Sequence, residues 1–142
     1  MKVFVDACCF FAAFHSPRGG SALVLELARL GKLTIVTNLP VVQEACKNIK
    51  AKVGSDAVRH FHQAIRVGLI EVLGPPSADA VARWASLTHD KDTHVLAGAH
   101  ASCADCLITL DRKHLLPQRV RASFPLPIRT PAEFLEAFLP GT

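Results

Sequence analysis

The sequence predicts an α/β fold with a mainly parallel central sheet, and three observations carry that prediction. Short, near-continuous apolar runs recur along the chain, as strands buried on both faces do. Segments with apolar residues at helical spacing separate them. No linker, low-complexity tract or internal repeat interrupts the alternation, so the 142 residues read as one domain, 1–142.

Each element has its own signal. Lys2–Val5 (KVFV) is the first strand and stops at Asp6. Lys2 and the apolar stretch Val3–Phe14 have the outline of a leader, but Asp6 interrupts it and no small-residue cleavage site follows. Gly19 and Gly20 open a helix over Ser21–Leu30, where Leu23, Leu27 and Leu30 share a face, and Gly31 ends it. Leu33–Thr37 is the second strand. A helix from about Pro40 to Lys52 follows, with proline near the first turn, where its missing N–H costs nothing. Ser55–Val67 is amphipathic: Val58, Phe61 and Ile65 lie on one face, Arg59, His62 and Arg66 on the other. After Gly68, Leu69–Leu73 is the third strand. Pro75 and Pro76 break the chain before a helix over Ser77–Leu87, and Lys91–Ser102 is a helix rich in small residues. Asp105–Thr109 is the fourth strand, and Pro127–Arg129 a short last strand leading into a helix over Pro131–Phe138.

Composition excludes several classes. With 50% hydrophobic and 20% charged residues, the chain is neither disordered nor collagen-like nor a coiled coil. A net charge of +4 permits a nucleic-acid partner without requiring one. No run of ~18 apolar residues occurs, so no membrane span is expected. The five cysteines are odd in number and spaced wrongly for a disulfide framework, which fits reduced thiols and a cytoplasmic location. Cys103-x-x-Cys106 with His100 lacks the second ligand pair of structural zinc, so these cysteines are expected to be buried thiols.

In open parallel sheets, ligands bind beyond the carboxyl ends of the strands. Asp6 follows the first strand directly, and Asp111 follows the fourth by two residues. Asp92 starts the helix feeding the fourth strand, and Glu44 lies about one turn into the helix after the second. Taken singly, each reads more readily as a helix cap. Together they form a candidate site, because clustered carboxylates repel one another unless a cation sits between them. Such oxygen ligands suit Mg²⁺ or Mn²⁺. Asp90, Asp79 and Asp56 are expected as caps, and Asp105 as a strand-entry residue.

The motifs VFVDACCFFAAF, TNLPVVQE and DTHVLAGAHASCADCLITLDRKHLL resemble those of PIN domains, and the likeness extends from Val3 to the closing RTPAEFLEAF. The order of the acids is its informative part. The resemblance implies a three-layer α/β/α sandwich and a metal-dependent endoribonuclease cleaving single-stranded RNA. Its nearest pattern is that of VapC-type toxins of toxin–antitoxin pairs. Asp6, Glu44, Asp92 and Asp111 match the family's four acidic positions, catalytic and metal-holding alike. Thr109 matches its hydroxyl residue beside the metal, with Asp90 and Asp105 as further outer residues. An antitoxin protein and a second copy of the chain are the protein partners the resemblance admits. Asp6-Ala7-Cys8 departs from the family's usual Asp-Thr-Asn or Asp-Thr-Ser.

Lys47, Lys50 and Arg59, with Lys52 and Arg66 nearby, are candidates for a rim that grips RNA phosphates. His94, two residues beyond Asp92, is expected to be solvated, and Trp84 to pack in the core. No GxGxxG or GxxxxGK[ST] follows the first strand, which disfavours a nucleotide-binding module. The competing reading is a catalytically silent PIN-fold module that binds protein or RNA.

Overall fold

The computed structural model describes residues 1–139. The last three residues of the expected domain, 140–142, lie outside the described residues. Strand β1 (Lys2–Val5) pairs in parallel with β2 (Thr34–Asn38) on one side and β4 (Cys106–Ile108) on the other. The strand β3 (Ile70–Leu73) extends the sheet beyond β2, and β5 (Ile128–Arg129) extends it beyond β4. The order is therefore β3-β2-β1-β4-β5, parallel throughout. Register places Phe4 opposite both Val36 and Leu107, so three fully buried side chains cross the middle of the sheet in a row.

Helices α1 (Ala7–His15), α2 (Gly20–Arg29), α3 (Leu39–Lys52) and α4 (Ser55–Arg66) connect β1 to β2 and β2 to β3. Helices α5 (Ala78–Trp84) and α6 (Asp90–Ala101) cross back from β3 to β4. Helix α7 (Gln118–Ser123) precedes β5, and α8 (Pro131–Phe138) follows it. Right-handed crossovers put α1–α4 on one face of the sheet and α5–α7 on the other, giving the expected α/β/α layers. Aromatic contacts agree. Phe10 and Phe14 of α1 meet Phe61 of α4, the rings 5.1 and 5.8 Å apart, while Trp84 of α5 meets Phe124 at 5.1 Å and His100 of α6 at 5.3 Å.

Two helices have no counterpart among the sequence expectations. In α1 the run ACCFFAAF is apolar on nearly every side, so it lacks the polar face that marks a surface helix. It forms because Ala7, Cys9, Phe10 and Ala13 are buried beneath α2 and α3. Helix α7 is six residues long, follows Pro117 and has no side-chain cap, leaving little to read. Glycine at 98 has a packing reason: a Cβ there would lie 2.9 Å from Phe4 Cζ and against the Asn38 amide. Only hydrogen lets α6 lie this close to β1 and β2.

Candidate active site

Asp6 leaves β1 with extended backbone, and its N–H donates to the Ile108 carbonyl, tying it to β4. Its carboxylate has two tasks. Oδ1 accepts the Ala7 N–H at 2.7 Å and so caps α1, while Oδ2 accepts the Thr109 hydroxyl at 2.7 Å and the Cys8 thiol at 3.5 Å. The residue is only 5% exposed. Burial pushes its pKa up to about 6; the bonds from Thr109, Ala7 and Cys8 oppose that shift, and the charge of Glu44 adds to it. Glu44, exposed on α3, therefore acts on Asp6 from the neighbouring helix. Thr109 Oγ1 also accepts the Asp111 N–H at 3.1 Å, linking the first acid to the loop that carries the last.

Asp92 and Asp111 meet at a histidine. Asp92 lies in the first turn of α6, where its N–H donates to the His89 carbonyl. Asp111 Oδ1 accepts the N–H groups of Lys113 and His114 at 3.1 and 2.9 Å, shaping the turn that presents His114. His114 Nδ1 then lies 3.0 Å from Asp92 Oδ2 and 3.6 Å from Asp111 Oδ2. One ligand atom from each of these three residues lies within 4.8 Å of the others. Partial burial, followed by the charge of Asp111, raises the Asp92 pKa; His114, His94 and His89 offset part of that. Two carboxylates and an imidazole converging in this way suit a divalent cation. Asp6 and Glu44 stand outside this set of three.

His114 was not singled out by sequence reasoning. A signal was present: Asp111-x-x-His114 places the ring one turn beyond the acid. Its second partner, Asp92, is 22 residues earlier in the sequence, which spacing does not show.

Several expected roles fall elsewhere. Asp105 is the strand-entry residue expected before β4 and not an outer residue of the acids: it sits at the opposite edge of the sheet from Asp6, and its Oδ2 accepts the Lys2 N–H at 2.8 Å. A four-residue strand separates the two ends by roughly 13 Å, too far for an outer role at the acids. Asp90 is exposed, and the cap of α6 is His89, whose Nδ1 accepts the Lys91 N–H. Asp79 and Asp56 lie in first turns whose caps are Ser77 and Gly54, and Asp56 pairs with Arg59. Lys47 and Lys50 are exposed on α3, with Lys47 three residues from Glu44 and on its face, whereas exposed Arg59 is already engaged by Asp56. His94 is half-buried rather than solvated, its Nδ1 enclosed and unpartnered. Only Cys9 and Cys106 are buried thiols; Cys8 and Cys46 are half-buried, and Cys103 is exposed in the left-handed conformation that ends α6. Trp84 packs in the core as expected.

No family model matches the chain, and no curated protein matches it in sequence. Solved structures do resemble it. Mycobacterium tuberculosis VapC20, a sarcin-ricin loop cleaving toxin, is 18% identical with a TM-score of 0.61, covering 86% of this chain and 95% of its own. VapBC2 from Rickettsia felis, solved bound to a DNA fragment from its promoter, is 17% identical with a TM-score of 0.63, covering 92% of this chain and 98% of its own. At this identity the likeness shows the fold: the chain adopts the VapC-like PIN fold that its acidic motifs resemble.

Proposed function

We propose that the chain is a metal-dependent endoribonuclease that hydrolyses single-stranded RNA and serves as the toxin of a toxin–antitoxin pair. The observation that carries this reading is the meeting of Asp92, Asp111 and His114 at the carboxyl edge of the sheet, with Asp6 linked to it through Thr109. Similarity in fold to VapC20 and VapBC2 supports it.

Asp92 and Asp111 would hold the cation, with Asp6 and Glu44 supplying further negative charge beside it. Mg²⁺ or Mn²⁺, when bound, contributes charge for a phosphate under attack and a water of lowered pKa. Burial holds the Asp6 pKa up at about 6 in the metal-free chain, and a cation bound beside it would favour the charged form. Thr109 fixes Asp6 Oδ2, so the carboxylate enters the site in one orientation. Lys47 and Lys50 would grip RNA phosphates along α3.

The test is cleavage of a fluorescent single-stranded RNA by highly purified protein, with Asp6→Asn prepared in parallel. Wild type should cleave, EDTA should abolish cleavage, and Mg²⁺ or Mn²⁺ should restore it where Zn²⁺ does not. Equal cleavage by the variant, or cleavage in excess EDTA, would overturn the reading. Tight RNA binding without turnover would select the silent binding module.

A further inference from the structure

We infer that His114 is itself a metal ligand, whose Nδ1 joins Asp92 and Asp111 in a mixed nitrogen–oxygen set favouring a first-row transition-metal dication such as Mn²⁺ over Mg²⁺. The inference rests on the reading that these acids hold a cation, and it does not depend on RNA cleavage.

The ring is held for this task from several directions. Asp111 Oδ1 accepts the His114 N–H, the His114 carbonyl accepts the Thr88 hydroxyl, and the imidazole lies against His89 with ring centres 5.0 Å apart. A side chain fixed at both backbone groups and on one ring face gives up little freedom when a ligand arrives. Nδ1 is the nitrogen turned to the carboxylates, at 3.0 and 3.6 Å. With the ring proton on Nε2, Nδ1 offers a lone pair toward the point that Asp92 and Asp111 also face.

Ligand chemistry then separates the cations. Imidazole is a borderline donor that suits transition metals, whereas Mg²⁺ prefers oxygen and retains several of its waters. The four acids alone would not make that distinction. An imidazole among them would.

The experiment needs no substrate. Mn²⁺ and Mg²⁺ are titrated calorimetrically into metal-free wild type, His114→Ala and His114→Gln, the last retaining side-chain bulk against a packing loss. Mn²⁺-loaded samples are then examined by electron-spin-echo envelope modulation for nitrogen bound to the ion. Wild type should bind Mn²⁺ more tightly than Mg²⁺ and show ¹⁴N modulation. Both variants should lose the modulation and bind Mn²⁺ at least ~10-fold more weakly, a loss that even outer residues of metal sites cause, with Mg²⁺ affinity nearly unchanged. Absence of ¹⁴N modulation in wild type, or its persistence in both variants, overturns the inference. Parallel loss of both ions also overturns it, because the ring then only positions Asp92. Tighter Mn²⁺ binding by the variants does so too, making the ring an internal counter-cation. If wild type binds neither ion, the metal reading falls and this inference with it, whereas metal binding without RNA cleavage would count against the nuclease reading alone.

Discussion

Asp6 and Asp105 stand at opposite ends of the same two neighbouring strands, and their fates differ. Asp105 is exposed at the amino edge and ties the start of β1 to the start of β4 through the Lys2 N–H. Asp6 is buried at the carboxyl edge, carries two hydrogen-bond duties and has its ionisation resisted by burial and by Glu44. The same residue type beside the same strands is therefore a clip at one end and a strained charge at the other. At the carboxyl edge a helix begins where the strand stops, so free N–H groups and incoming acids crowd together.

The largest expected break in this comparison is in catalysis. Asp6→Asn should lower RNA cleavage at least ~100-fold, the upper range seen when outer residues of a metal site are lost, whereas Asp105→Asn should cleave like wild type in the same assay. The next is in stability. With a folded pKa of about 6 against an ordinary 3.8, Asp6 binds its proton more tightly in the folded chain. Its contribution is fully present below about pH 3.8 and is lost as the pH rises through about 6, a swing of about 3 kcal/mol. Urea unfolding of metal-free protein across this window should show the loss in wild type and in Asp105→Asn, and a flatter profile in Asp6→Asn. A third test moves to the helix that carries Asp92. Gly98→Ala forces a methyl group against Phe4 and Asn38 and should cost about 1–3 kcal/mol in thermal or urea unfolding. The smallest effect is at the clip itself: Asp105→Asn should change stability at neutral pH by no more than about 0.5 kcal/mol.

The strands were legible because buried parallel strands are continuous apolar runs, and all five fall where those runs lie. Helix α1 was not, because a helix buried on most sides loses the periodicity by which helices are recognised. Among the acids, reading carboxylates against strand ends locates Asp6 and Asp111 at the carboxyl edge. Asp105 precedes its strand rather than following it, which marks it as a strand-entry residue at the amino edge. His114 is half legible for another reason: Asp111 stands three residues away, whereas Asp92 is brought to it by the packing of α6. The turn that Asp111 makes with its own backbone is local, and the meeting of that turn with α6 is not.

The order β3-β2-β1-β4-β5 has a consequence for how freely the sequence can drift. From β1 the chain winds outward to one edge, then returns to β1's other side and winds toward the opposite edge. The connections leaving β1 and β4 thus part company, and the crevice between them comes from the direction of winding rather than from any side chain. Residues lining it can be exchanged one at a time while the hollow persists. An architecture of this kind keeps its shape when most of its lettering has changed: structures 17–18% identical to this chain share its fold.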